Sequence, residues 1–212
     1  MPILASLMFA SALQSLPSEG VWAGHHVTLG RRKVPFMGHR ETRTDAWVLA
    51  RVRARADGGL EIVQKTCRVD FRRVAGVHVS IDGPSLPRST LRLSAEEDAL
   101  QGRSVVAWDE EDVDDDGHPG MTVRVRARVC SGDLYVSNRS ETRARARIVQ
   151  GRIYGTASVR VAQTVLGARG ACLSVVASDT DERQRGTFAF ARVDDDATCE
   201  SLAARGWPIE AP

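Results

Sequence analysis

The 212-residue chain contains little lysine, few aromatic residues and no long apolar run. Lysine occurs twice, against 27 arginines, and aromatic residues make up 5% of the chain. No apolar run approaches the roughly 20 residues that cross a membrane, so a transmembrane helix is not expected. The formal net charge of +2 gives no strong overall attraction to nucleic acid. A composition of 42% hydrophobic and 26% charged residues is typical of a folded globular domain.

The sequence also lacks the short motifs that mark common catalytic sites. It contains no GxSxG, no HExxH and no glycine-rich phosphate loop. The neighbouring His25 and His26 would point to opposite faces of a strand, so they do not predict a shared metal site. An enzymatic function is therefore not predicted, and an unrecognised hydrolase is the third of three functional hypotheses.

None of the four cysteines forms a CxxC pair, which disfavours zinc knuckles and thioredoxin-type redox sites. Cys67, Cys130, Cys172 and Cys199 are an even set, and in an exported chain they would form two disulfides. Three pairings are possible. We favour Cys172–Cys199, which leaves Cys67–Cys130, and four buried free thiols are the alternative.

The first twelve residues are similar to a secretory signal peptide with a shortened start. Residues 3–9 are apolar, and Ala10-Ser11-Ala12 has the small-x-small form of a signal-peptidase site, although the usual basic region is missing. We expect residues 1–12 to be a signal peptide and residues 13–212 to be one exported domain, placed in the periplasm, at the outer-membrane surface or outside the cell. A disordered or packed apolar N-terminus is the alternative.

Alternation of apolar and polar residues dominates the chain and predicts β-strands. Asp57-Gly58 is typical of a two-residue hairpin turn, which would place Val48 opposite Cys67 and Val52 opposite Val63. Ser94-x-x-Glu97 has capping-box spacing and predicts a short helix to residue 100, and a second helix is predicted over 197–205. The predicted strands are 20–29, 44–56, 60–71, 74–81, 104–108, 121–130, 134–150, 153–166, 171–178 and 187–193.

Consecutive strands with one apolar face must cover that face by closing on themselves or by packing against a second sheet. Because most connections are short, we predict an all-β, antiparallel up-and-down meander that closes into a barrel of eight to ten strands, followed by a short C-terminal helix. Small inward residues would leave room for a ligand cavity, whereas a barrel filled by side chains is the alternative. The predicted cavity residues are Val48, Val52, Val123, Val125, Ala127, Ala144, Ala146, Val159 and Val161.

Arginines alternate with the apolar residues of the same strands and are expected to face solvent, since buried unpaired arginine is very unfavourable. On adjacent strands they would form a basic patch able to hold phosphates or acidic glycans, and a solvated outer face is the alternative. No aromatic residues alternate with them, so base stacking is not predicted. The three stripes are Arg51, Arg53 and Arg55; Arg124, Arg126 and Arg128; and Arg143, Arg145 and Arg147.

Asp112-x-Asp114-x-Asp116-Gly resembles the calcium loops of EF-hands, dockerins and thrombospondin type 3 repeats. Alternate aspartates followed by glycine can converge on one ion, and the carbonyl of His118 would be a further ligand. Position 12 of the loop is Val123 instead of a bidentate glutamate, and a strand follows directly. We therefore expect a weak structural calcium site, with a solvated acidic loop as the alternative.

Gly20-x-Trp22 at the start of the first strand resembles the GxW motif of lipocalins. That resemblance implies a barrel with Trp22 packed across its base and a small apolar ligand inside. The DxDxDGxPG loop at 112–120, followed by the strand TVRV, resembles an uncharacterised class of exported bacterial proteins and implies no known activity.

The leading hypothesis is thus an exported, non-enzymatic barrel that binds a small apolar or amphipathic ligand. The second is a calcium-stabilised structural or adhesive protein of the cell envelope. The sequence names neither a ligand nor an oligomeric state.

Overall fold

The computed structural model describes residues 17–34, 38–74, 76–96, 98–128 and 130–212, so the predicted signal peptide lies outside the described residues. Antiparallel strands dominate, and neither described helix is long and apolar enough to cross a membrane. The strands are β1 (Gly20–Val34), β2 (Gly38–Ala54), β3 (Leu60–Phe71), β4 (His78–Ser80), β5 (Ser89–Glu96), β6 (Ala99–Trp108), β7 (Met121–Arg126), β8 (Gly132–Val149), β9 (Arg152–Arg169) and β10 (Thr180–Arg192), and the helices are α1 (Leu173–Val176) and α2 (Cys199–Arg205).

Eight of the strands form a closed antiparallel ring. Its order is β1, β2, β3, β5, β6, β8, β9 and β10, and β10 pairs back with β1. Neighbours in the ring follow one another along the chain once β4 and β7 are left aside. The predicted all-β antiparallel meander with a short C-terminal helix is therefore confirmed.

The two remaining strands lie beside the ring. β7 pairs with residues 132–136 of β8, and β6 pairs with residues 138–146 of the same strand. β6 and β7 therefore lie end to end along one edge of β8, with residues 109–120 looping out between them. β4 pairs with the free edge of β7.

The ring has two unlike ends because successive strands run in opposite directions. The ends of β2 and β3, of β5 and β6, and of β8 and β9 that follow one another most closely in the chain lie at one end, which we call the hairpin end. The opposite end, the loop end, carries residues 109–120 and the connection that contains α1. The side chains in the interior of the ring differ between these two ends.

Two local predictions are wrong. Residues 94–96 belong to β5 and residues 99 and 100 to β6 instead of a helix, because Leu91 and Leu93 continue the apolar alternation of β5, and Glu96 pairs with Ala99. Residues 171–178 contain the short helix α1, not a strand. The predicted C-terminal helix is present and is capped by Thr198, whose side chain accepts a hydrogen bond from the Ser201 N–H.

The register between β2 and β3 is shifted by one residue from the predicted one. Val52 pairs with Ile62, because the turn holds Arg55 and Gly59 together by a backbone hydrogen bond of 2.9 Å. A bulge between Trp47 and Val48 then restores the predicted offset. The bulge leaves Cys67 without a ladder partner of its own.

The four cysteines form two disulfides, as predicted, but the favoured pairing is wrong. Cys67 bonds to Cys199 and Cys130 bonds to Cys172, with Cα atoms 5.4 and 5.5 Å apart. The first bond ties α2 to β3, and the second ties the connection between β7 and β8 to the start of α1. Paired cysteines are typical of proteins in oxidising compartments.

The C-terminal segment packs on the outer face of β1 and β10. Ile209 is buried against Ala189 and Ala191, and the Ala211 N–H donates to Nδ1 of His25 at 3.0 Å. His25 therefore carries its proton on Nε2, which faces a carboxylate oxygen of Asp45 at 3.2 Å. His25 faces outward and His26 faces inward, so the opposite orientations predicted from the sequence are confirmed.

The arginine stripes lie on the outside of the fold, as expected. The stripe arginines that lie within β2 and β8 are exposed. Arg55, in the turn after β2, and Arg124, on β7, are half-buried. The exposed members on the ring strands are Arg51, Arg53, Arg143, Arg145 and Arg147.

Candidate functional site

The hairpin end of the ring is filled by a packed apolar core, which we call the plug. All eight ring strands contribute to it. Trp22 is 1% exposed, as the GxW resemblance implied, and Phe190 and Ile62 are fully buried. Four predicted cavity residues, Val48, Val52, Ala144 and Ala146, belong to this plug, where they pack against other apolar side chains. The plug consists of Trp22, Val48, Ala50, Val52, Leu60, Ile62, Leu91, Leu93, Leu100, Ala144, Ala146, Ile153, Phe188 and Phe190.

Two phenylalanines of β10 form the top of the plug because glycines on both neighbouring strands make room for them. A Cβ atom on Gly24 of β1 would come within 2.4 Å of the Phe190 ring, and one on Gly155 of β9 within 2.2 Å of the Phe188 ring. The two rings meet nearly edge to face, with centroids 6.0 Å apart. Glycine is therefore required at both positions for the two phenyl groups to lie across the interior of the strand ring.

A layer of polar side chains lies directly above the plug, towards the loop end. Beyond the plug, the next inward side chains on β1, β3 and β6 are those of His26, Gln64 and Ser104, with glycines (Gly24 and Gly102) at the inward positions that precede His26 and Ser104. We call these three residues the polar layer. Strands in a closed ring are tilted, so residues at one height are offset from strand to strand. The three side chains thus face the same part of the interior.

Each member of the polar layer has a buried atom without a hydrogen-bond partner. The atoms are Nε2 of His26, Oε1 of Gln64 and Oγ of Ser104. The Gln64 side chain is held in place, because its Nε2 donates to Oγ of Ser89 at 2.9 Å. A buried polar group that lacks a partner destabilises a fold by about 1–3 kcal/mol, so such groups normally bind water or a ligand.

His26 is neutral at physiological pH. Burial, together with repulsion from His25, lowers its pKa from 6.5 to about 4. Its ring lies against both aromatic rings of the plug, with centroids 5.3 Å from Phe190 and 5.9 Å from Phe188. Depending on the tautomer, its Nε2 can donate or accept a hydrogen bond towards the interior.

The interior between the polar layer and the loop end is less tightly packed. The inward side chains there are only half-buried, among them Thr44, Thr142 and Gln184. Two further predicted cavity residues lie on a ring strand, β9: Val159 is buried and Val161 is half-buried. We call this half of the interior the lumen.

A polar cluster stands at the mouth of the lumen. Nε of Arg32 donates to Oε1 of Glu182 at 2.7 Å, and a second nitrogen of the same guanidinium donates to the side-chain oxygen of Gln163 at 3.3 Å. The Glu182 side chain is only 9% exposed. The lumen therefore changes from an apolar floor through a polar layer to a charged mouth.

Two cavities lie outside the ring. One of about 430 Å³ is lined by Arg43, Asp45 and Asp70 among others. The other, of about 520 Å³, lies along the outer side of β2 and β3 and includes Arg51 and Lys65 in its lining. Charged linings of this kind suit an apolar ligand poorly, so we place the candidate site in the lumen.

The remaining predicted cavity residues lie outside the ring. Val123 and Val125 belong to β7, and Ala127 follows that strand. β7 pairs with β4 and with residues 132–136 of β8, so it is not one of the eight ring strands. The assignment of these three residues to a cavity stays a prediction.

The acidic loop brings together the three aspartates of the predicted calcium motif. One carboxylate oxygen from each of Asp112, Asp114 and Asp116 lies within 4.8 Å of the others. The Asp112 carboxylate also accepts hydrogen bonds from the N–H groups of Asp116 and Gly117, at 3.1 and 2.7 Å. The His118 ring stacks on Tyr135, with centroids 4.1 Å apart, and the carbonyl of His118 stays a predicted ligand.

Asp114 is the most enclosed of the three. Its Oδ2 accepts a hydrogen bond from the Thr122 N–H at 3.1 Å, whereas its Oδ1 is buried without a partner. Burial raises the pKa of this carboxyl, and the nearby Asp116 and Asp112 raise it further. A cation held by the three carboxylates would reverse that effect.

No family model and no curated protein matches the chain. Among solved structures, the chain is similar to DynF from the dynemicin biosynthesis pathway of Micromonospora chersina. The two chains are 13% identical, and the match covers 82% of this chain and 81% of that chain. The TM-score of 0.27 is too low for an argument about fold or function.

Sequence reasoning missed the polar layer, although a signal for it exists. In Trp22-x-Gly24-x-His26 and Leu60-x-Ile62-x-Gln64 a polar residue interrupts the apolar face at its third position. Such an interruption inside a ring indicates either a functional group or bound water. The predicted calcium residues were found because their motif is contiguous in the sequence.

Proposed function

We propose that the protein is an exported, non-enzymatic binding protein that holds a small amphipathic molecule in its lumen. The observation that carries this proposal is the polar layer with its three unpartnered buried atoms above an apolar floor. A ligand with an apolar body and one polar group would complement both surfaces. Ligand sites are commonly apolar with a few convergent polar groups.

The polar layer indicates which chemical groups such a ligand carries. The free Oε1 of Gln64 accepts hydrogen bonds only, so the ligand needs a donor such as a hydroxyl or an amide N–H. Neutral His26 and Ser104 can each donate or accept. The flat rings of Phe188 and Phe190 favour an aromatic or other planar apolar body.

The test is the binding of N-phenyl-1-naphthylamine, a fluorescent, uncharged amphipath with one N–H donor. Thr142→Trp would place a large side chain into the lumen next to Ser104, with which Thr142 pairs on the neighbouring strand. Glu141→Trp adds the same side chain on the outer face of the same strand. We expect the first variant to lose at least tenfold in affinity and the second to bind like the wild type.

The opposite pattern, or equal binding by all three proteins, would place the probe outside the lumen. Absence of binding to the wild type, with no small molecule released from the purified protein by solvent extraction, would contradict the proposal. The two disulfides support export, and a periplasmic, outer-membrane or secreted location is proposed on that ground.

A second function is supported by the acidic loop. We propose that calcium binds Asp112, Asp114 and Asp116 and stabilises an envelope protein of structural or adhesive role. The convergence of three carboxylates, one with a buried free oxygen, supports it. Without a bidentate ligand from Val123, the dissociation constant should be on the order of 10⁻⁴ to 10⁻³ M.

Melting curves with calcium and with chelator test this site. At a calcium concentration one hundred times the dissociation constant, the wild type should gain about 2.7 kcal/mol, or about 5–10 °C in melting temperature. Asp114→Ala should abolish the shift. Asp115→Asn, which removes the same charge from the same loop, should keep it. Identical melting temperatures with and without calcium would show that the acidic loop does not bind the ion.

A further inference from the structure

A row of four arginines crosses the outer face of the ring at right angles to the strands. Arg92 of β5 pairs with Arg103 of β6, and Arg103 pairs with Arg143 of β8. Arg143 pairs with Ser158 of β9, which pairs with Arg185 of β10. All four arginines are exposed. We call them the arginine row.

This arrangement is unfavourable for the isolated protein. Like charges directly opposite each other on neighbouring strands destabilise a sheet, and Arg103 has an arginine on both sides. Nε of Arg92 has a carboxylate partner in Glu61, at 3.0 Å. For Arg103, Arg143 and Arg185, no carboxylate of the described chain lies within 4.0 Å.

Three exposed arginines close to the row have carboxylate partners. Arg145 and Arg147 both donate to Asp98, at 2.8 and 2.7 Å, and Arg160 donates to Asp181 at 3.0 Å. Arg103, Arg143 and Arg185 have no such partner in the described chain, and the same holds for Arg152 and Arg183 on neighbouring parts of the outer face. What distinguishes the row is that its arginines lie directly opposite one another on neighbouring strands. A shared anion would remove the repulsion that the row itself creates.

We propose that the arginine row binds a linear polysaccharide that carries carboxylates. Neighbouring strands are about 4.8 Å apart, which is close to the length of one sugar in an extended chain. Each guanidinium can hold a carboxylate through two parallel hydrogen bonds. Ser158, which lies within the row, and Gln101 and Thr156 beside it are neutral and can bond to sugar hydroxyls.

The composition of the row argues against other polyanions. No aromatic side chain lies between the arginines, and single-stranded nucleic acids need such rings for base stacking. Two exposed apolar residues, Leu29 and Val105, stand singly beside the row at 55% and 50% exposure. Segments that bind a membrane surface bury a continuous apolar face instead.

The test measures binding of polygalacturonate to the wild type and to two double variants. Arg103→Gln with Arg143→Gln removes the centre of the row and should weaken binding about tenfold. The slope of log affinity against log salt should fall by about one to two units. Arg72→Gln with Arg73→Gln removes two exposed arginines near the loop end, and its affinity should stay within about twofold of the wild type.

Equal weakening in both double variants would show general charge attraction and overturn the proposal. So would the absence of binding to the wild type at low salt. Tighter binding of single-stranded DNA, or of vesicles containing phosphatidylglycerol, through Arg103 and Arg143 would replace the polysaccharide by that ligand and refute the proposed class. Melting curves of the variants confirm that they are folded.

Discussion

Mild acid should destabilise this protein through His26. The pKa of His26 is about 4 in the folded protein and 6.5 as its ordinary value. Below pH 6.5 the His26 side chain is therefore protonated in the unfolded chain, whereas in the folded protein it stays neutral until the pH falls to about 4. Stability contributed by the neutral imidazole is fully present above pH 6.5 and is lost as the pH falls towards 4.

The size of the effect follows from the two pKa values. At about 1.4 kcal/mol per pKa unit, the full loss is about 3 kcal/mol, and about 2 kcal/mol is lost by pH 5. For a domain of this size such a loss is a large part of the total stability. Carboxylates with lowered pKa values, such as Asp133, add their own loss at lower pH.

Urea unfolding followed by tryptophan fluorescence at pH 7.5, 6 and 5 measures the effect. His26→Phe keeps the aromatic contacts with Phe188 and Phe190 but does not titrate, so its stability should fall by about 2 kcal/mol less between pH 7.5 and 5. His39→Gln, at an exposed position of β2, should behave like the wild type. If wild type and His26→Phe lose stability in parallel, His26 is not desolvated and the assignment of the polar layer fails.

Three further outcomes can be checked on the same protein. Peptide mapping without reduction should recover Cys67–Cys199, and replacing both cysteines by alanine should cost about 2–4 kcal/mol; another pairing would contradict the fold. Phe190→Ala should lower the free energy of unfolding by about 3–5 kcal/mol, and a loss below about 1 kcal/mol would mean that the plug is loosely packed. Arg103→Glu should raise that free energy by roughly 0.5–1 kcal/mol, because it places a carboxylate between two arginines; a decrease would count against repulsion within the row.

The strands could be predicted because their signal is local. Alternation in β2 and β8 reports which side of each strand faces the apolar core, and both faces are as expected. The same alternation in β7 does not reveal where that strand lies, since Val123 and Val125 resemble Val48 and Val52, yet β7 is not one of the eight ring strands. Alternation identifies the face of a strand, but its neighbours depend on pairing between distant segments.

The cysteine pairing and the polar layer depend on such distant contacts. Cys67 and Cys199 are 132 residues apart, and nothing near either residue in the sequence indicates that they pair. The inward polar residues could be noticed in the sequence, but their meeting at one height depends on the register of the five strands from β1 to β6 that connect them. The acidic loop is different, because its three aspartates alternate within five residues and their convergence could be predicted from the sequence.

Closure of the ring has a consequence for how the chain folds. The last seam joins β1 to β10, and Val21 bonds there to Asp195, which is 174 residues away. Until that seam forms, both strands present unpaired backbone edges that can pair with another chain. Topologies dominated by such distant pairings fold slowly and are exposed to aggregation on the way. Refolding at high concentration is therefore expected to yield domain-swapped or aggregated species in which β10 of one molecule closes the ring of another.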